Sequence, residues 1–251
     1  MTDLFSLTGK RVLVTGGTRG IGRAISLHFA RHGALVLANY AHKEEAAAAL
    51  VEEARAAAGG ITLCRADLTS ALGIRRIVEA VGTAPLSAIV HSAATGVHRP
   101  IAQLTLRHWD FTLALNLRAF FELVRTLLPS LAPGASIVAI SSEGAVHAFP
   151  NYTLVGTSKG GLEALCRHLA LELAPRGVRV NVLSPGSVPT ESWEALPDSQ
   201  RRRQEALARS PRGELTTPEE VAWAAHFLCC QASQGVNGHT LVVDGGQRIR
   251  G

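Results

Sequence analysis

A chain of 251 residues that is 47% hydrophobic and carries a formal net charge of +5 is long enough for one large domain with a full core. No run approaches the roughly 18 apolar residues of a spanning helix, and residues 1–9 lack the apolar stretch of a signal peptide. A cytoplasmic protein without a membrane partner is therefore expected. The basic residues are dispersed, and their densest cluster, Arg201, Arg202 and Arg203, has no interleaved aromatics, which argues against nucleic acid.

Residues 10–16, KRVLVTG, form a β-branched strand that runs into TGGTRGIG at 15–22 and then into the helical pattern ISLHFARHG. Strand, glycine loop and helix in that order make a phosphate cradle: Gly16, Gly20 and Gly22 allow close backbone approach, and the helix start offers free N–H groups to a pyrophosphate. Gly33 caps the first helix. The second strand, ALVLAN, ends at Asn39 without the acidic residue that would hold a ribose 2′-hydroxyl. Arg19 in the loop and His42 and Lys43 past the strand would instead meet a 2′-phosphate, which points to NADPH over NADH.

Residues 44–58 are alanine-rich and helical. ITLCRADL gives a third strand ending at Asp67 and Leu68, and SAIVHS at 87–92 a fourth, followed by the small residues Ala93 and Ala94. A long helical pattern covers about 106–131 and contains Asn116, whose amide competes for backbone partners and marks an irregularity. A fifth strand, ASIVAI at 135–140, ends at Ser141 and Ser142, and a helix follows from about Tyr152 to Leu173.

Strand ends in such sheets are where ligands sit. Tyr152 and Lys159 are seven residues apart, nearly two turns, so they point the same way with roughly 10 Å between α-carbons. A nearby ammonium favours the ionised form of a phenol, so the lysine is expected to make Tyr152 a better proton donor, while Ser142 offers a hydrogen bond where negative charge develops.

A sixth strand at 178–184 leads to Pro185, Gly186 and Thr190, the last placed to bond a cofactor amide or phosphate. Residues 191–217 turn polar and proline-punctuated and read as an exposed substrate lid. Pro218 starts another helix, and HTLVVDGG is a final strand and turn. The alternation from end to end predicts a single-domain, doubly wound parallel sheet of α/β class. The cysteines, Cys64, Cys166, Cys229 and Cys230, lack metal-ligand spacing; buried reduced thiols and no zinc site are expected.

TGGTRGIG, Asp67, Ala93, Asn116, Ser142, Lys159, Pro185-Gly186 and VDGG, in this order, resemble the short-chain dehydrogenase/reductase family over essentially the whole chain. The resemblance implies an NAD(P)-dependent oxidoreductase, a homodimer or homotetramer, in which Lys159 holds the nicotinamide ribose and a tyrosine donates the proton. It adds Thr18, Ile21, Leu68, Ser92 and Val188 to the cofactor contacts. The family's usual tyrosine, four residues before the lysine, is Val155 here; Tyr152 is the nearest phenol. That Tyr-x6-Lys spacing looks like the enoyl-acyl-carrier-protein reductases, and HSAATGVHRP and HWDFTLALN look most like their type III form. The family's Asn-Asn-Ala-Gly is replaced by His91-Ser92-Ala93-Ala94. The resulting expectation is reduction of the double bond of an enoyl thioester carried on acyl carrier protein or CoA, with Tyr152 and Lys159 assisted by Ser142 and Asn116. A ketoreductase or hydroxyl dehydrogenase, and a silent dinucleotide-binding protein, are the alternatives.

Overall fold

The computed structural model describes residues 3–194 and 199–249. Seven parallel strands form one sheet in the order β3-β2-β1-β4-β5-β6-β7: β1 Arg11–Thr15, β2 Leu35–Tyr40, β3 Gly60–Arg65, β4 Leu86–His91, β5 Leu131–Ile140, β6 Arg179–Pro185 and β7 Thr240–Val243. The helices are α1 Gly20–Arg31, α2 Glu44–Glu53, α3 Ala71–Val81, α4 Leu106–Leu113, α5 Ala119–Leu127, α6 Thr153–Leu173, α7 Glu191–Glu194, α8 Ser199–Arg209 and α9 Pro218–Cys229. Val12, Leu13 and Val14 of β1 are at most 1% exposed, because a central parallel strand is covered on both faces and reads as a continuous apolar run. One core lies between the sheet and α3, α5 and α6, around Ile77, Phe120 and Leu162. The other lies on the opposite face under α1 and α9, around Ile25, Phe29 and Val221.

Local signals set the helix ends. The Ser70 hydroxyl accepts from the Gly73 amide (3.0 Å) at the start of α3. Before α9, Thr217 and Glu220 form a reciprocal capping box with Pro218 in the first turn. Several expected bounds shift. The alanine-rich helix stops at Glu53, and β3 ends at Arg65, short of Asp67. The long pattern at 106–131 is two helices joined by a π-helical turn, Ala114–Arg118, and its end is taken by β5, which begins at Leu131 and pairs there with Leu86 of β4.

Strand order positions the site. β1 lies between β2 and β4, so the chain reverses direction across the sheet at β1 and a crevice opens past the carboxyl ends of β1 and β4. Thr15 is in register with His91, and His91 with Ala139, which brings the glycine loop, residues 92–98 and the end of β5 to one rim. No helix among the described residues is long and apolar enough to cross a membrane.

Candidate active site

The glycine loop is closed by backbone. Gly16 has φ +61°, and a Cβ there would lie 2.9 Å from the Ala93 backbone; one on Gly22 would lie 2.2 Å from the Gly16 carbonyl oxygen. Only glycines let α1 start this close to β4. Arg19, exposed, is the N-cap residue of α1 and makes no side-chain cap, so nothing from its own side chain covers the first N–H groups of the helix, which follow at Gly20, Ile21 and Gly22. Thr18 is buried beside them. The Gly17 amide donates to the Asn39 carbonyl (2.9 Å), tying the loop to the end of β2. There the Asn39 amide is buried and donates to the Cys64 and Ala66 carbonyls; it is a strand clamp and offers nothing to a ribose. His42 and Lys43 are exposed beyond it.

At the end of β4, the Ala93 amide donates to Thr15 Oγ1 (3.2 Å), and Thr15 Oγ1 also pairs with Nδ1 of buried His91 (2.9 Å). Burial, then the charge of Lys159, drives the His91 pKa down to about 3, so this ring is neutral. Ser92 and Ala93 are half-buried and Ala94 is exposed. Asp67 is exposed, its carboxylate accepting from the Thr69 amide and hydroxyl, and Leu68 is buried. Pro185 ends β6 and Gly186 follows it, packed against Asp244 and Gln247. Val188 is buried. Thr190 Oγ1 accepts from the Trp193 amide (3.3 Å) at the start of α7, and its methyl group faces Gly20.

Three of the expected catalytic residues, Ser142, Tyr152 and Lys159, lie about the end of β5 and the start of α6. Ser142 Oγ and the Tyr152 hydroxyl share a hydrogen bond of 3.1 Å, and Ser142 Oγ also accepts from the Gly144 amide. Tyr152 lies one residue before α6, with its ring over Gly144, where a Cβ would come within 2.3 Å of it. Lys159 is buried within α6, and its ammonium donates to the Ile140 carbonyl (2.7 Å). Desolvation lowers its pKa to about 8.

Tyr152 corrects one expectation. Burial raises its pKa, the Ser142 hydrogen bond lowers it, and the charge felt after those is that of Glu143, then Arg202; Lys159 is not among the influences. Burial therefore favours the protonated phenol. Val155, at the family's tyrosine position, is buried and packs its Cγ2 onto Gly96.

Asn116 occupies the π-helical turn, fully buried. Its Oδ1 accepts from the Thr95 amide (2.8 Å), and its Nδ2 donates to the Thr95 carbonyl (2.8 Å) and Ser158 Oγ (2.9 Å). The irregularity thus has a physical cause: the wider turn, a form frequent at functional sites, accommodates an amide that clamps the segment after β4 to α6.

Several groups were not legible in sequence. The His98 ring lies 5.4 Å from that of Tyr152, its Nδ1 is buried without a partner among the described residues, and burial and Arg202 lower its pKa. The arginine cluster divides: Arg201 and Arg203 are exposed while Arg202 turns toward the site. Arg209 of α8 binds buried Glu143 (3.1 Å) and stacks over Phe149, whose ring is edge-on to Tyr152. Helical phase on α8 could have separated Arg202 from its neighbours; what it faces could not be read.

A family model described as enoyl-(acyl carrier protein) reductase matches residues 16–248. The chain belongs to the short-chain dehydrogenase/reductase family and is an NAD(P)-dependent oxidoreductase. It is 33% identical to 1-cyclohexenylcarbonyl-CoA reductase of Streptomyces collinus over 94% of this chain and 86% of that one. It is equally 33% identical to a 3-oxoacyl-acyl-carrier-protein reductase of Thermotoga maritima, over 96% and 98%. Among solved structures it resembles, at 35% identity and a TM-score of 0.92, a protein proposed to be an NAD(P)-dependent gluconate 5-dehydrogenase of Beutenbergia cavernae, with NADP bound at low occupancy, over 98% and 100% of the two chains.

Proposed function

We propose that this enzyme uses NADPH to reduce the carbon–carbon double bond of an enoyl thioester carried on CoA or acyl carrier protein. The observation that carries the reading is the hydrogen bond between Tyr152 and Ser142, together with a valine at the family's usual tyrosine position. Val155 has no proton to give. A carbonyl under reduction needs its donor at the oxygen beside the hydride-accepting carbon, whereas in an enoyl thioester charge appears on an oxygen two carbons farther along. A phenol displaced along the chain from Lys159 suits the second substrate.

The glycine cradle fits a dinucleotide: Gly16 and Gly22 have no room for a Cβ, and the start of α1 is free of a side-chain cap. Gly16, Thr18, Gly20, Ile21 and Gly22 hold the pyrophosphate; Asp67, Leu68, Ser92, Ala93 and Ala94 line the adenine and ribose side; Pro185, Gly186, Val188 and Thr190 flank the nicotinamide. Arg19, with His42 and Lys43 nearby in sequence to the end of β2, receives the 2′-phosphate. When bound, the cofactor supplies the hydride that goes to the β-carbon. Lys159 releases the Ile140 carbonyl to hold ribose hydroxyls. Tyr152, held protonated by burial, would donate a hydrogen bond to the thioester oxygen and stabilise the enolate, with Ser142 fixing the phenol's direction, and the enolate would take its α-carbon proton from solvent. Asn116 keeps the backbone at Thr95 in place. Arg202, Arg209 and the rest of α8 form the lid, residues 195–198 of the expected 191–217 span lying outside the described residues, and the exposed Arg201 and Arg203 attract an acidic carrier.

NADPH oxidation measured with crotonyl-CoA and acetoacetyl-CoA tests the reading; ready turnover of the β-ketoacyl thioester with none of the enoyl thioester overturns it in favour of a ketoreductase. For the carrier, charge reversal of Arg201 and Arg203 is expected to slow turnover of carrier-bound substrate several-fold at low salt, an effect that shrinks as the Debye length falls below about 8 Å, and to leave a small uncharged thioester unaffected.

A further inference from the structure

On the face of the molecule opposed to α3, α5 and α6, three histidines converge where α1 packs on α9. His28 lies in the last turn of α1, His32 is that helix's C-cap residue four positions on, and His226 comes from α9, with one ring nitrogen from each falling within 4.8 Å of the others. Ring centroids are 4.1 Å apart for His28 and His32, 5.1 Å for His28 and His226, and 5.0 Å for His32 and His226. His226 is 9% exposed and His32 is exposed, at the edge of a groove also lined by Asp3, Phe5, Trp223 and Phe227.

Backbone carbonyls decide which nitrogens are free. His32 Nδ1–H donates to the His28 carbonyl (2.7 Å), which leaves His32 Nε2 as a lone pair. His226 Nε2–H donates to the Phe5 carbonyl (2.6 Å), which leaves His226 Nδ1 as a lone pair. His28 Nε2 lies 2.9 Å from that atom and must therefore be the donor between them. A ring fixed in one tautomer through its remote N–H, with the other nitrogen turned to a common point, is the arrangement that surrounds metal-ligating histidines.

We propose that His28, His32 and His226 form a binding site for a divalent first-row metal ion, zinc in the first instance, that joins the cofactor helix α1 to α9. Neutral imidazoles suit zinc, with nitrogens about 2.0–2.1 Å from the ion, and water completes a tetrahedral shell from the groove. Binding asks His28 to move its proton from Nε2 to Nδ1, and the ion then replaces the hydrogen bond to His226; no proton leaves the protein. Burial and the mutual influence of the rings lower the His28 pKa to about 4 and that of His226 in the same direction, which favours neutral rings at those two positions. Of the charges that face the cluster, Arg31 and Lys10 oppose a cation and Asp3 favours it; Arg31 is itself paired with Glu53 (3.0 Å). The site lies apart from the cysteines, whose spacing argues against a thiolate centre.

The test uses untagged, chelator-treated full-length protein, titrated with Zn²⁺ in competition with a chromophoric chelator and with Co²⁺ followed by visible absorption. One ion per chain with a dissociation constant in the micromolar range or below, and Co²⁺ bands of a nitrogen- and oxygen-ligated tetrahedral ion, are expected. His32→Ala, at an exposed position that leaves the fold intact by circular dichroism, is expected to weaken Zn²⁺ roughly tenfold or more without changing NADPH turnover. Failure to compete at micromolar Zn²⁺, or equal affinity in wild type and His32→Ala, overturns the proposal.

Discussion

The loop after β1 and the segment between β5 and α6 open onto the same crevice but are made of different material. The first is a backbone site: glycines with no room for a Cβ, a helix start, and a strand end clamped by Asn39. The second is a side-chain site, in which Ser142 holds Tyr152, Asn116 holds Thr95 and Ser158, and Glu143 holds Arg209. A backbone site depends on the absence of side chains and is written locally, whereas a side-chain site depends on partners brought from far along the chain. Changes at a single side chain should therefore be severe in the second region and graded in the first.

The largest effect is expected at Tyr152. Tyr152→Phe removes one donor at the developing charge and should lower kcat by roughly 10²-fold or more with NADPH affinity nearly intact; stopped-flow rates with near-wild-type turnover would break the contrast. Asn116→Ala comes next. It leaves the half-buried Thr95 amide and carbonyl without the partner that fully buried Asn116 supplies, a cost of about 2 kcal/mol, read from the urea midpoint at unchanged slope.

On the backbone side, Arg19→Ala should weaken NADPH about tenfold, the scale of one charge-assisted contact, and leave NADH unchanged. Equal affinities of the wild type for the two cofactors would overturn that.

Lys159 links the two regions and gives the smallest, pH-dependent effect. Its folded pKa of about 8 lies below the ordinary 10.5, so the ammonium that would hold the ribose is lost as pH rises through about 8. NADPH affinity should be flat below that pH and weaken above it in equilibrium titrations, while Lys159→Met shows no such inflection. Stability moves the other way. Between about 8 and 10.5 the unfolded chain holds more protons, so this residue's contribution to cofactor-free stability rises with pH.

Sequence alone determined the seven strands, their alternation with helices, and the glycine loop, because each is encoded in a few consecutive residues whose periodicity and turn chemistry are local. It also selected Tyr152, since the valine at 155 is visible without a structure. The division of the long pattern at 106–131 needed the fold: Asn116 opens a π-helical turn only because Thr95 lies against it, and Leu131 becomes strand only because Leu86 pairs with it. The same holds for charge. The expectation that Lys159 acidifies Tyr152 came from spacing along a helix, whereas in the folded protein the buried ring and Ser142 dominate and the lysine turns to Ile140. His98 beside Tyr152, Arg202 facing inward, and the meeting of His28, His32 and His226 are likewise products of packing. Local sequence fixes which backbone forms; desolvation and the identity of distant neighbours, which set what a side chain does, exist only once the helices have closed on the sheet.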